Sequence, residues 1–144
     1  MSLHKKCNIL SVSDYTYIEI AKEISLCSKA KRAKVGAILV KDGTIIAMGY
    51  NGTPTGFNNT CEVDNVTKSE VIHAESNAIV KCATSTISSE GSTLYCTMLP
   101  CFDCAKLIIQ AKIKRVVYHL EYRKQNGKNL LNKAGISCIK LEKK

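Results

Sequence analysis

The sequence predicts a three-layer α/β/α fold with a central five-stranded mixed sheet. Three observations support this prediction. Helical and β-rich patterns alternate along the chain in the order α-β-β-α-β-α-β-α-β, which places helices on the faces of one sheet. The length of 144 residues suits one compact domain, so we take residues 1–144 as a single unit. A hydrophobic fraction of 45% is sufficient for one core of ordinary size.

The N-terminal half is predicted to contain one helix and one hairpin. Apolar residues recur at helical spacing in residues 14–28. A β-rich run at residues 35–40 is followed by an Asp-Gly turn signal and a partner strand at Thr44–Tyr50. Residues 51–72, rich in Gly, Asn and Thr, are predicted to form a long loop, and a loop of this length is usually functional.

The C-terminal half is predicted to alternate between helices and strands. The predicted helices cover residues 74–82, 101–111 and 130–134, and the predicted strands cover residues 93–97, 115–118 and 137–141. Pro100 fits the first turn of the middle helix, and Gly135 supplies the stop for the last one.

The charge balance indicates an anionic partner. Lys and Arg outnumber Asp and Glu by 21 to 12, which gives a formal net charge of +9. Such a field favours a nucleotide phosphate, a nucleic acid or an acidic surface. Residues 1–10 lack the apolar core of a signal peptide, and no apolar run approaches the ~20 residues of a bilayer span. We therefore expect a cytoplasmic protein without a membrane partner, and the eight cysteines do not indicate a secreted disulfide scaffold.

Two short motifs carry the predicted chemistry. His73, Cys101 and Cys104 supply three ligands for a catalytic zinc ion, which leaves the fourth position open. The two cysteines stand three apart at a predicted helix start, where their sulfurs share a face and the helix N-terminus favours thiolates. We expect His73 at the very end of its helix, so that Glu75 also reaches the site. The pattern H-x-E…P-C-x-x-C is typical of zinc-dependent nucleobase deaminases.

The carboxylate of Glu75 is the predicted general acid/base. Zinc in such a site lowers the pKa of water toward ~7. Attack on ring carbon C4 of a cytosine then requires proton transfer from water to the ring nitrogen and to the departing amine, which releases ammonia and leaves uracil. One alternative is a closed structural zinc site, with His4, Cys61 or Cys96 as the fourth ligand. Another is a second metal site that includes Cys7 and Cys61.

With these motifs in place, the chain resembles the deoxycytidylate (dCMP) deaminase family of the zinc-dependent cytidine deaminase superfamily, particularly its compact phage and viral members. The resemblance covers residues 17–141 and rests on residues 35–37, 49–56, 73–79, 100–106, 108–111 and 113–114. The G-Y-N-G-x-P-x-G segment at residues 49–56 is the narrower signature, because the zinc pattern is common to the superfamily.

The resemblance implies a cytidine-deaminase-like fold and hydrolysis of dCMP to dUMP, the precursor of thymidylate. It implies that His73, Cys101 and Cys104 bind zinc and that Glu75 is the general acid/base. The implied substrate contacts are Asn51 to the sugar hydroxyl, the Ala74 N–H to the pyrimidine carbonyl, Ser28, Lys29 and Arg32 around the phosphate, and Tyr122 closing the pocket.

The resemblance also implies regulation. Family members are homo-oligomers, often hexamers, which dCTP activates and dTTP inhibits; Mg²⁺ is expected to accompany the triphosphate. The implied effector loop comprises Tyr50, Gly52, Thr53, Pro54 and Gly56, whose glycines and proline would shape a backbone nest. No stable nucleic-acid partner is expected, and a phage origin would place the enzyme in the host cytoplasm.

Three competing functions remain at this stage. A polynucleotide deaminase similar to the tRNA adenosine deaminases shares the zinc pattern and the basic charge, but the loop at residues 50–56 and the lack of a basic C-terminal helix disfavour it. A deaminase of free nucleosides is disfavoured by the positive charge at residues 29–34. A zinc-stabilised interaction module without activity would leave Glu75 without a role.

Overall fold

The computed structural model describes residues 12–141, which form four helices and seven strands. The helices are α1 (Val12–Ser25), α2 (Ala74–Ala83), α3 (Phe102–Gln110) and α4 (Asn126–Lys133). The strands are β1 (Gly36–Lys41), β2 (Thr44–Tyr50), β3 (Glu62–Val63), β4 (Val66–Thr67), β5 (Thr93–Met98), β6 (Arg115–Leu120) and β7 (Ser137–Lys140).

A five-stranded mixed sheet in the order β2-β1-β5-β6-β7 forms the centre of the fold, as predicted. Strand β1 is antiparallel to both β2 and β5, while β5, β6 and β7 run parallel. The parallel strands follow from the helices that connect them, because a crossover through a helix returns the chain in the same direction. The β1–β2 connection is a hairpin in which Asp42 and Gly43 both have positive φ angles, as the Asp-Gly signal predicted.

Alternate residues of each strand supply two hydrophobic cores, one on each face of the sheet. The face covered by α2, α3 and α4 receives Leu39, Leu94 and Val116, and the face covered by α1 receives Ile38, Tyr95 and Val117. The three-layer α/β/α prediction is therefore confirmed. Within residues 12–141, no helix is long and apolar enough to cross a bilayer.

Two local predictions were wrong. The segment predicted as a loop over residues 51–72 contains the short hairpin β3–β4, whose turn residues Asp64 and Asn65 have φ angles of 50° and 62°. Asp and Asn tolerate this left-handed conformation, but two-residue strands give too little periodicity to predict. Helix α4 begins at Asn126 and not at residue 130, because packing of Gly127 against Pro100 and Cys101 overrides its low helix propensity.

A buried ion pair fastens α1 to the sheet. Arg115 of β6 donates two hydrogen bonds to the Asp14 carboxylate, at 2.9 Å from Nη1 and 2.8 Å from Nη2. The Tyr95 hydroxyl donates to Asp14 Oδ1 at 2.6 Å. The Asp14 side chain is only 2% exposed, so its charge depends on these donors for compensation.

We predict that Asp14→Asn lowers the free energy of unfolding by about 3–5 kcal/mol, because it removes the carboxylate charge that the largely buried Arg115 guanidinium faces. Urea denaturation of the purified proteins measures this difference. Glu19→Gln is the matched control: Glu19 pairs with Lys22 at 3.0 Å on the exposed face of the same helix, and its loss should cost less than about 1 kcal/mol. Equal stabilities of the two variants would contradict the prediction.

Candidate active site

The N-termini of α2 and α3 converge on one point above the sheet. His73 is the N-cap of α2, with φ −68° and ψ 154°, and Cys101 is the N-cap of α3, with φ −74° and ψ 172°. Neither side chain caps its own helix by a hydrogen bond, so both remain available to a ligand. The position predicted for His73, at the very end of its helix, is confirmed.

The three predicted metal ligands lie together. His73 Nδ1 is 3.4 Å from Cys101 Sγ and 3.5 Å from Cys104 Sγ. A tetrahedral zinc ion with ordinary Zn–N and Zn–S bonds would separate such atoms by about 3.5 Å. In the chain from residue 12 to residue 141, this is the only group of three or more candidate ligands. The donor set therefore fits a zinc ion, and three ligands leave a fourth position open.

The proposed fourth ligands of a closed site do not join this cluster. Cys61 and Cys96 are both buried, but neither belongs to the group formed by His73, Cys101 and Cys104. His4 and Cys7 lie outside the described residues. Among residues 12–141 the geometry thus favours an open site over a closed structural one.

The three candidate metal ligands shift one another's pKa values. Hydrogen bonding to Cys104 lowers the pKa of Cys101 to about 4, and His73 adds to this effect. The same hydrogen bond and burial raise the pKa of Cys104, while the bond to Cys101 raises the pKa of His73. A metal ion that binds these groups displaces the protons of the thiols, because its sulfur ligands are thiolates.

Glu75 is buried in the first turn of α2, with only 4% of its surface exposed. Burial raises the pKa of its carboxyl, while a hydrogen bond with Cys104 and the nearby His73 act in the opposite direction. A carboxyl with a raised pKa binds a proton more readily than an ordinary carboxylate does, which suits a general acid/base.

A cavity of about 500 Å³ opens beside the cluster, within the usual size range of small-molecule sites. It is lined by His73, Ala74, Glu75 and Cys101, and by Ala30, Arg32, Ala33, Val35, Asn51, Cys61, Glu62, Thr67, Val71, Met98, Leu99, Glu121, Tyr122 and Arg123. A second, more open depression beside β7 contains none of the metal-ligand cluster, so the first cavity is the candidate active site.

Four of the six residues expected to bind substrate line this cavity: Asn51, Ala74, Arg32 and Tyr122. Asn51 is held in place by its own side chain, which accepts the Val35 N–H and donates to the Ala33 carbonyl, both at 2.8 Å. Each amide atom has capacity for one further hydrogen bond.

The other two residues expected to bind substrate, Ser28 and Lys29, do not line the cavity. Ser28 is buried, and its hydroxyl donates to the Asn51 carbonyl at 2.8 Å and accepts the Ala30 N–H at 3.1 Å. Its hydroxyl is therefore engaged by the protein backbone. Lys29 is exposed on the surface outside the cavity.

Several cavity residues were missed by the sequence analysis. Arg123 follows Tyr122 in the loop after β6, and its guanidinium carbon lies 5.7 Å from the centre of the Tyr122 ring. Glu62 on β3 accepts the backbone N–H groups of Lys31 and Arg32 at 2.9 and 3.0 Å. Arg123 lies just beyond a parallel strand, at the end of the sheet where ligands bind, but no fixed interval to another site residue marks it in the sequence.

The expected effector loop lies outside the cavity but is tied to the metal ligands. Gly52 exchanges two backbone hydrogen bonds with Ile72, which directly precedes His73. Asn77 of α2 donates to the Tyr50 carbonyl at 2.8 Å. The other members of the loop are Thr53, whose hydroxyl donates to Asn58, Pro54, and Gly56 with a φ angle of +90°.

Comparison with known proteins agrees with this geometry. The family described as the cytidine and deoxycytidylate deaminase zinc-binding region matches residues 11–120. The deoxycytidylate deaminase of Enterobacteria phage T4 is 34% identical over 90% of each chain, and that of Homo sapiens is 33% identical over 97% of this chain and 85% of the human protein. The dCMP deaminase of cyanophage S-TIM5, solved in complex with dCMP and dUMP, superposes with a TM-score of 0.90 at 45% identity, covering 92% of this chain and 99% of that one. The chain therefore belongs to the zinc-binding cytidine and deoxycytidylate deaminase family, as a compact dCMP deaminase.

Proposed function

We propose that this enzyme hydrolyses dCMP to dUMP and ammonia with a zinc ion held by His73, Cys101 and Cys104, and that it feeds dTMP synthesis in the cytoplasm. The observation that carries the proposal is the buried Glu75 carboxyl beside these three ligands at the end of a nucleotide-sized cavity. The phage relatives and the cyanophage enzyme with dCMP and dUMP support the choice of substrate.

Zinc, when bound, supplies an acidified water molecule at the open position. Glu75 accepts a proton from that water and delivers it to the ring nitrogen N3 of the cytosine. It then carries a second proton to the exocyclic amine, which leaves as ammonia. One water molecule is consumed, and the oxygen that it provides becomes the carbonyl at C4 of the uracil product.

The base and the sugar are proposed to be held from two sides of the cavity. The Ala74 N–H lies in the first turn of α2, where a helix leaves its N–H groups without intrahelical partners. We assign it to the pyrimidine carbonyl. Asn51, already fixed by the backbone at residues 33 and 35, is assigned to the sugar hydroxyl through its remaining hydrogen-bonding capacity.

The phosphate is proposed to lie between Arg32 and Arg123, with Tyr122 as a wall. Both arginines line the cavity, and a guanidinium group suits phosphate oxygens because its donors form a planar fork. Arg32 Nη1 also donates to Thr67 at 3.3 Å, which holds this side chain near β4. Ser28 and Lys29 are not included in this site because neither lines the cavity.

Glu75→Gln is expected to retain one zinc ion per chain and to lose about 10²–10⁴-fold in kcat for dCMP, because the amide cannot transfer protons. Loss of cytosine absorbance measures turnover, and elemental analysis measures zinc. Cys101→Ala should lose the metal itself. Glu90→Gln is the control, since Glu90 is exposed and pairs only weakly with Lys112 at 3.9 Å. Retained turnover in Glu75→Gln would contradict the acid/base role.

Arg123→Ala is expected to raise the KM for dCMP and to leave the slow turnover of deoxycytidine unchanged, because only dCMP carries the phosphate. A charge-assisted hydrogen bond of about 1.5–3 kcal/mol corresponds to a rise in KM of about 10–100-fold. Steady-state kinetics with both substrates measures this split. Lys124→Ala removes the neighbouring exposed charge outside the cavity and should change neither value. An equal loss for both substrates would rule out the phosphate contact.

We propose that the enzyme is regulated through an effector loop, which consists of Tyr50, Gly52, Thr53, Pro54 and Gly56. This loop would bind dCTP or dTTP together with Mg²⁺. The enzyme is proposed to be a homo-oligomer, and we expect a hexamer. The pairing of Gly52 with Ile72 supports this role, since it joins the loop to the residue before His73. Gly56, at φ +90°, supports a backbone conformation that other residues rarely adopt.

We expect dCTP to raise and dTTP to lower the rate at subsaturating dCMP, and Gly56→Ala to abolish both responses by straining the loop. Gly43→Ala is the matched control, because Gly43 also has a positive φ angle, +74°, but lies in the distant β1–β2 turn. The measurement is the initial rate with each triphosphate present. A wild-type enzyme that responds to neither nucleotide would contradict the proposal.

A further inference from the structure

A serine hydroxyl contacts one of the two zinc-ligand sulfurs. Ser76 Oγ lies 3.3 Å from Cys104 Sγ, and the contact is partly buried. Ser76 lies in the first turn of α2, three residues after the N-cap His73, and both side chains contact the Cys104 sulfur. The mechanism described above does not use this hydroxyl.

The chemistry of a metal site fixes the direction of this hydrogen bond. In the free thiol either atom could donate. As a zinc ligand Cys104 is a thiolate, which has no proton, so the Ser76 hydroxyl must be the donor. The second sulfur, Cys101 Sγ, contacts His73 Nδ1 at 3.4 Å. The Ser76 hydroxyl therefore supports the Cys104 thiolate in particular.

The buried Glu75 carboxyl lies close enough to Cys104 for its charge to act on that sulfur. A thiolate and a carboxylate repel each other in a buried site, and a hydroxyl that donates to the sulfur spreads its negative charge. Groups that donate hydrogen bonds to metal ligands also fix ligand orientation and tune the metal.

We propose that Ser76 is a positioning residue of the metal centre: its hydroxyl donates to the Cys104 thiolate, orients that ligand and reduces the electron density that the sulfur gives to the metal. The inference rests on the proposed zinc site. Its consequence is that the metal is held more firmly and polarises a bound water more strongly than it would with an unsupported thiolate.

Cobalt substitution tests this inference without any substrate. In Ser76→Ala loaded with Co²⁺, the thiolate-to-cobalt charge-transfer band should move to longer wavelength, because the sulfur becomes more electron-rich. Ser76→Thr keeps the hydroxyl and should restore the wild-type band. Ser13→Ala, an exposed serine of α1, is the control for a serine-to-alanine change in a helix.

Metal release and turnover supply two further readouts. Ser76→Ala should lose zinc to a chelator about 10-fold faster, in line with the loss of other groups that support metal ligands. Its kcat for dCMP should fall, with little change in KM. A charge-transfer band and a zinc release rate equal to those of the wild type would overturn the inference. Absence of dCMP turnover in the wild type would instead overturn the proposed function, while a shifted cobalt band would still support the role of Ser76.

Discussion

The whole site depends on the convergence of two helix N-termini, and at each of them a glycine lets a neighbouring element pack directly on the backbone. A Cβ at Gly49 of β2 would lie 2.6 Å from the Ala74 carbonyl oxygen, and a Cβ at Gly127 of α4 would collide with the Pro100 carbonyl oxygen. Real side chains do not tolerate such distances, so β2 and α4 pack directly on the backbone that carries His73 and Cys101. Backbone packing thus fixes the positions of the proposed metal ligands, which reduces the conformational entropy that ordering them would cost.

Burial then gives the convergent residues their reactivity. Glu75 and Cys104 are almost fully removed from water, while His73 remains exposed at the mouth of the cavity. Burial consequently biases the Glu75 carboxyl toward its protonated form, and it also raises the pKa of the Cys104 thiol. The same enclosure strengthens every electrostatic interaction with a substrate that enters.

The sequence predicted the parts of this enzyme that depend on local spacing. The intervals between His73, Glu75, Cys101 and Cys104 predicted that these residues lie together, as they do in the structure, and the sheet was predicted because its strands follow one another with regular periods. Ser28 and Arg123 were beyond such reasoning for a common reason. The Ser28 hydroxyl meets the backbone of a residue 23 positions away, and Arg123 enters the cavity only because the loop after β6 turns toward it. Contacts of this kind arise from tertiary packing, so no characteristic residue spacing in the sequence reveals them.

The two faces of the sheet divide the tasks of the protein. The ion pair of Asp14 with Arg115 and the core around Ile18 lie on the α1 side, whereas the zinc ligands, Glu75 and the cavity lie on the side of α2 and α3. Changes on opposite sides of a packed sheet share few contacts, so their free energies largely add. Substitutions in the layer under α1 can therefore change the free energy of unfolding with little effect on the deaminase chemistry. This separation allows the stability of the fold to be adjusted without rebuilding the active site.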